Sequence, residues 1–151
     1  MASRPGRLPC TSENTAIGPF IRFFDATFSL DDVRQMVVSL TVAGTDNFRL
    51  EGSSSMARIA RDPADLAGQL LNAHHAFPDG AVLFLGTMFA PVEDRDAPGK
   101  GFTHKTDDIV AIASPKLGRL VNRIRPTDAV ERWTFGAGAL MRNLAGRGLL
   151  K

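Results

Sequence analysis

The alternation of apolar and polar residues predicts a set of short strands. From Val37 to Val42 side chains alternate between two faces and β-branched residues are frequent, so residues 34–42 are predicted to be a strand. A Gly-Thr-Asp-Asn turn follows, and residues 48–51 are predicted to return as its hairpin partner. Three more apolar runs of strand length, bounded by Pro, Gly and Asp, are residues 81–85, 109–113 and 117–124.

Helix signals occur between the predicted strands. Ser29 precedes Leu-Asp-Asp-Val and either caps one helical turn or marks the entry to the next strand. Asp62 and Pro63 predict a helix start, because Asp is a good N-cap and Pro suits the first helical position. This helix is predicted to pack a Leu-rich face on the sheet and to end at the Pro-Asp-Gly of residues 78–80.

A last helix is predicted near the C-terminus. Leu140, Leu144 and Arg147 recur at helical spacing, and Gly148 is a stop signal. The Trp-Thr-Phe-Gly of residues 133–136 is predicted to anchor this helix to the body of the domain.

Two segments lack a hydrophobic period. Residues 1–15 are predicted to be an irregular tail. Residues 88–108 form a long predicted loop, and such loops are usually functional or disordered, so a site is expected to border it. Its acidic trio, Glu93, Asp94 and Asp96, lacks the spacing of a calcium loop and is predicted to be a solvated turn.

Composition narrows the class of protein. The chain has 151 residues, 44% of them hydrophobic and 23% charged, which fits one globular domain. Its formal net charge of +2 is not gathered into a basic patch, so no nucleic-acid partner is expected. No run approaches the roughly 20 apolar residues of a membrane span, and no secretory signal is recognised. Cys10 stands alone, and a reducing, cytoplasmic location is expected.

Residues able to bind anions, metals or protons are scattered. Residues 52–56 are rich in hydroxyls and form either an anion-binding loop or a plain turn. His74 and His75 point about 100° apart on a helix, so capping of the last carbonyls is favoured over metal binding. His104 is interpreted as a solvated loop histidine rather than a proton-transfer group.

Read in order, several short motifs form a recognisable series. They are Gly18-Pro19, Ser53-Ser54-Ser55-Met56, Pro78-Asp79-Gly80, Leu85-Gly86-Thr87-Met88, Asp107-Asp108-Ile109-Val110-Ala111-Ile112 and Leu117-Gly118-Arg119-Leu120-Val121-Asn122-Arg123-Ile124. Their order and spacing resemble the C-terminal half of the fumarylacetoacetate hydrolase family. Ser-Ser-Ser-Met stands where members often have Thr-x-x-Met, and Leu-Gly-Thr-Met stands for T-G-T-P.

The resemblance implies both a fold and a chemistry. The fold is α+β and β-rich, with mixed strands in a roll or sandwich, a few peripheral helices, and a partial C-terminal-type domain over residues 16–151. The chemistry is hydrolysis, decarboxylation, dehydration or isomerisation of 2-oxo or 1,3-diketo acids through an enolate, with Mg²⁺ or another divalent cation as Lewis acid. Thr87 and Ser53 are the implied substrate-binding residues, and no catalytic residue is identified.

The sequence also departs from that family. Members hold the metal with an acidic residue, an E-x-E pair and an Asp upstream of the Gly-Pro segment, whereas this chain has no E-x-E and only Glu13 among residues 1–15. The chain is therefore predicted to be the substrate-side half, inactive alone, with a homodimer or a missing N-terminal half as partner. A non-catalytic β-domain that binds a partner through bare strand edges, and a poorly folding gene fragment, stay open as alternatives.

Overall fold

The computed structural model describes residue 18, residues 20–74 and residues 76–150. The described part is an α+β domain built on one four-stranded antiparallel sheet, which confirms the α+β class but not the expected roll or sandwich of mixed strands. In chain order its main elements are α1 (Leu30–Gln35), β1 (Val37–Ala43), β2 (Arg49–Ser55), α2 (Pro63–Leu70), β3 (Ile109–Ser114), β4 (Gly118–Arg123) and α3 (Ala137–Gly146). Single 3-10 turns lie at Met56–Arg58 and Thr127–Ala129.

The sheet is antiparallel, with strand order β2-β1-β3-β4. Two tight hairpins, β1–β2 and β3–β4, meet where β1 pairs with β3. Val42 lies opposite Leu50 on one side and Val110 on the other. Val42 and Leu50 are both fully buried, because directly opposed residues share a face and cover each other.

The two faces of the sheet differ in polarity. The apolar face, as we call it, carries Val38, Leu40, Val42, Leu50, Val110, Ile112 and Leu120. The polar face carries Ser39, Thr41, Glu51, Ser53, Arg119 and Arg123 between apolar residues that include Ile109, Ala111 and Val121. A sheet with one apolar face must bury that face against another segment, and here the long loop covers part of the apolar face.

The first two helices are fixed by their N-caps. Ser29 caps α1 in a capping box with Asp32, so the helical alternative at Ser29 is the one realised. Asp62 caps α2 by accepting the Ala64 N–H at 2.8 Å, as predicted. Arg34 donates to the same carboxylate at 2.6 Å, and α2 packs principally against α1 rather than laying its Leu face on the sheet.

Several predicted element boundaries are wrong. The strand predicted over 34–42 begins at Val37, because the Ser29 capping box draws Arg34 into α1. Residues 52–55, predicted as a loop, belong to β2 and pair with β1 through Ser55. Residues 81–85 form no strand, since no neighbouring segment pairs with them.

The second helix and the expected anchor also differ from prediction. Helix α2 ends at Leu70, well before the Pro-Asp-Gly of 78–80. Trp133 is 83% exposed and does not anchor α3. The predicted tail at 1–15 and the residues Pro19 and His75 lie outside the described residues. Across the described ranges, no helix combines the length and apolar character needed to cross a bilayer.

Candidate functional site

The turn that carries Thr87 is held by local hydrogen bonds. Gly86 adopts φ 79°, a left-handed conformation that glycine takes without strain. The Thr87 hydroxyl accepts the Phe89 N–H at 3.2 Å and donates to the Phe89 carbonyl at 3.1 Å. Its single proton is therefore committed to the turn. Thr87 is an exposed residue, and its backbone N–H has no acceptor among the described residues.

Strand β2 meets this turn through Ser54. The Met88 N–H donates to the Ser54 hydroxyl at 2.8 Å. The Phe89 ring then lies on Gly52, where an added Cβ would come within 2.3 Å of the ring. The hydroxyl-rich strand and the Gly-Thr turn thus form one site on the apolar face, which we call the Ser54–Thr87 site.

The two predicted substrate-binding residues are not brought together. Ser53 lies on the polar face opposite Ser39, because successive strand residues point to opposite faces. Thr87 borders the apolar face through Met88 and Ser54. Sequence reasoning missed Ser54 by one position, and the period-two alternation of β2 would have found it once residues 52–55 were recognised as strand.

A second cluster of polar residues lies at the far end of the long loop. The Arg95 side chain is 1% exposed and donates to both oxygens of Asp108, at 2.5 and 2.7 Å, whose side chain is fully buried. Arg95 also donates to Asp46 at 2.9 Å, and its guanidinium carbon lies 4.6 Å from the centre of the Phe48 ring. This Arg95 cluster attaches the loop to the turn between β1 and β2.

The cluster keeps its carboxylates ionised. Hydrogen bonds from Arg95 lower the pKa of Asp108 to about 2, and they hold the pKa of Asp46 well below its usual range. Lys105 bonds to Asp96 and to Asp46, and these bonds raise the pKa of the Lys105 ammonium. The buried charges of this cluster, those of Arg95 and Asp108, are thus paired with each other, as in a structural ion pair.

The other candidate residues in and near the loop, Asp94, His104 and His74, contact groups outside the Ser54–Thr87 site. Asp94 accepts the Gly99 and Gly101 N–H groups, each at 2.6 Å, and these bonds lower the Asp94 pKa. The ring centres of His104 and Phe102 lie 4.7 Å apart in an edge-to-face arrangement, and His104 Nδ1 is 3.6 Å from Asp108. The His74 N–H donates to the Asn72 side chain at 2.9 Å, beyond the end of α2.

The carboxylates do not form a cation site. Glu93 accepts the Val92 N–H, Asp94 bonds to glycine N–H groups, and Asp96 pairs with Lys105. Within residues 18, 20–74 and 76–150, no three His, Cys, Asp or Glu side chains converge as metal ligands. The residues described here therefore do not fit the Mg²⁺ that the resemblance implies.

Comparison with known proteins gives no relative. No protein-family model, no curated protein and no solved structure matches this chain.

Proposed function

We propose that this chain is the substrate-side half of a fumarylacetoacetate-hydrolase-type enzyme acting on 2-oxo or 1,3-diketo acids. The observation that carries the proposal is the 2.8 Å hydrogen bond between Met88 N–H and the Ser54 hydroxyl. It joins two motifs of the series that are 34 residues apart in sequence, the hydroxyl-rich segment and the Gly-Thr turn. In the proposed fold, a mixed roll or sandwich, such a junction borders the substrate.

The site offers backbone donors to a substrate carboxylate. Because the Thr87 hydroxyl is engaged with Phe89, the group available for an anion is the backbone N–H of Thr87, an exposed residue beside Gly86. Ser54 fixes the turn by binding Met88, and Phe89 holds it against Gly52. In this proposal Thr87 binds the substrate and Ser54 positions the turn, in place of the predicted Ser53.

The exposed apolar surface supports a missing half. Beside the buried core residues Phe28, Val42, Leu50 and Met56, several large apolar side chains are more than 60% exposed. They include Phe20, Ile21, Phe23, Phe24, Val82, Phe84 and Trp133. In this proposal a completing half, on this or another polypeptide, would cover these exposed side chains. That half would also supply the metal ligands, and no reaction step is assigned to this chain.

Binding of a small oxo acid tests the site directly. Pyruvate is titrated into the purified chain and its binding is followed by ligand-observed NMR. We expect millimolar binding that weakens several-fold in Ser54→Ala, because the turn loses the hydroxyl that accepts Met88 N–H. Ser53→Ala is the matched control, since its side chain lies on the opposite face of β2. Equal loss in both variants, or no pyruvate binding, contradicts the proposal.

Measurements of turnover, association and thermal unfolding distinguish this proposal from the two alternatives, a non-catalytic partner-binding domain and a poorly folded fragment. The chain alone is expected not to cleave or decarboxylate oxo acids with Mg²⁺ or Mn²⁺ present. Turnover that a chelator abolishes would place metal ligands within this chain. Association that depends on concentration but not on cations would favour the non-catalytic partner-binding domain. A broad thermal transition with strong dye binding would favour a poorly folded fragment.

A further inference from the structure

Strand β4 is an open edge of the sheet. It pairs with β3 on one side, through residues from Gly118 to Arg123, and is last in the strand order. Among the described residues, no backbone hydrogen bond reaches β4 from its outer side. An edge strand with unpaired N–H and C=O groups is a template for another extended segment.

The opposite edge, β2, differs in charge. The long loop contacts β2 on its apolar face, where Met88 N–H bonds to Ser54 and the Phe89 ring lies on Gly52, and these contacts leave the outer backbone groups of β2 without a partner among the described residues. The exposed charges of β2 neutralise each other, because Arg49 and Glu51 pair at 2.5 Å. An acidic strand would therefore be attracted to β4 rather than to β2.

The β4 edge carries an excess of positive charge. Arg119 is exposed and forms no ion pair with a described carboxylate. Arg123 and Arg125 share one carboxylate, that of Asp107, at 3.3 and 3.1 Å. Three guanidinium groups and one carboxylate thus line the edge.

The spacing of these side chains defines a pattern. Arg119, Val121 and Arg123 alternate along β4 and share the polar face. Val121 is 50% exposed and lies between the two arginines. A strand laid beside β4 would place its own side chains opposite these three at spacing two.

We infer that the β4 edge binds an extended acidic segment of a protein partner, with the pattern acidic-x-apolar-x-acidic. The partner's backbone would extend the sheet, its apolar residue would pack on Val121, and its carboxylates would pair with Arg119 and Arg123. A non-catalytic domain that binds a partner, the alternative considered above, would use the β4 edge as its binding surface and an acidic segment as its ligand. The inference does not depend on oxo-acid binding at the Ser54–Thr87 site.

A second copy of this chain fits the edge poorly. Two β4 strands paired antiparallel about Val121 would set Arg119 of one chain opposite Arg123 of the other. Like charges directly opposed across a strand pair are destabilising. A single-stranded nucleic acid would use the arginines but not the backbone groups, so it is tested as a separate ligand.

The test uses a matched pair of peptides. One is blocked Thr-Glu-Thr-Val-Thr-Glu-Thr, and the other has Lys in place of both Glu residues. Because the pattern is symmetric, either peptide can add in either direction. We expect the Glu peptide to bind about tenfold more tightly than the Lys peptide, by fluorescence anisotropy of labelled peptide, with affinity falling as salt rises.

Charge reversal supplies the decisive variant. In Arg119→Glu/Arg123→Glu the preference is expected to invert in favour of the Lys peptide. Arg142→Glu/Arg147→Glu, which makes the same change of net charge on α3 and its C-cap residue, is expected to keep the preference for Glu. Both variants alter exposed side chains, and circular dichroism checks that each remains folded.

Several outcomes overturn the inference. They are equal affinity for both peptides, no binding up to about 1 mM, loss of preference in the α3 variant, or binding of an oligothymidylate in place of the Glu peptide through the same arginines. Self-association abolished by the β4 reversal would assign the edge to a second copy instead. Pyruvate binding is measured separately, so failure here leaves the oxo-acid proposal standing.

Discussion

Arg95 is the residue that ties the long loop to the sheet. Its partners Asp108 and Asp46 are 13 and 49 residues away in sequence, so local pattern reasoning gives no sign of the pairing. Gly44 is the nearest signal, because a Cβ there would lie 2.3 Å from the Arg95 guanidinium. The close approach explains why glycine stands at that position, but the reason is visible only in three dimensions.

Removing the Arg95 charge should destabilise the domain. Arg95→Met keeps an apolar stem but leaves the buried Asp108 carboxylate unpaired, so we expect a loss of about 3 kcal/mol in the free energy of unfolding, measured by urea denaturation. Arg49→Met is the control, since the Arg49–Glu51 pair is exposed and surface pairs contribute little. A similar loss in both variants would show that Arg95 acts only through packing.

The same cluster predicts how stability depends on pH. The folded pKa of Asp108 is about 2, and that of Asp46 is also low, because Arg95 bonds to both carboxylates. Both lie below the unfolded value of about 3.9, so their stabilisation is present above that pH and is lost as pH falls toward 2. Urea midpoints measured from pH 6 to pH 2 should fall, and Arg95→Met should flatten the fall. An unchanged slope in the variant contradicts the assignment.

On the scale of single elements, an apolar run in the sequence predicted a strand correctly only where a neighbouring strand pairs with it. β1, β3 and β4 follow the predicted pattern closely. Residues 81–85 have an equally apolar run but pair with nothing, and Val82 and Phe84 are exposed. Conversely, the Ser run of β2 has little intrinsic strand preference, and pairing with β1 makes it a strand.

Helix α3 ends in a hydrogen-bonded cap, and substitutions there can test how the φ angle of Gly148 affects stability. The Leu149 N–H bonds to the Leu144 carbonyl and the Gly148 N–H to the Ala145 carbonyl, a Schellman motif with Gly148 at φ 68°. Gly148→Ala should cost about 1 kcal/mol, because an L-residue is strained there. Gly146→Ala, at the last helical residue, should gain about 0.5–1 kcal/mol.

Amide hydrogen exchange of Leu149 and neighbouring α3 residues measures both changes. Neither added methyl group meets another atom within 4 Å, so the two variants differ in backbone conformation rather than in packing. Faster exchange in Gly148→Ala and slower exchange in Gly146→Ala are expected. Changes of the same sign would rule out the cap as the cause.

Contact between the loop and β2 can be tested by a pair of substitutions. Gly52→Ala would bring a Cβ into steric overlap with the Phe89 ring, so we expect the free energy of unfolding to fall by about 1–3 kcal/mol. In a Phe89→Ala background the same substitution should be almost neutral, because the ring is gone. Urea denaturation of the four proteins gives the coupling energy, and additive losses would show that Phe89 does not lie on Gly52.

On the scale of the whole molecule, the residue pattern predicted strands and helices and the resemblance implied an α+β fold, but neither predicted how much of the apolar surface would stay open. Sequence periodicity records which residues are apolar, whereas burial depends on what packs against them. The phenylalanines of residues 20–28 illustrate the difference, since Phe28 is buried whereas Phe20 is 70% and Phe23 is 77% exposed.

The single tryptophan makes this open surface measurable. Trp133 is 83% exposed, so its emission in the native chain should resemble that of indole in water and shift little when urea unfolds the domain. Far-UV circular dichroism, recorded in parallel, should still report a cooperative transition.

A hydrophobic dye should bind the native chain, and Phe20→Ser/Phe84→Ser should reduce that binding without lowering the urea midpoint, because both rings already face solvent. A blue-shifted native emission, or a lowered midpoint in the double variant, would mean that these side chains are buried against this same chain, and the argument for a completing half would lose its basis.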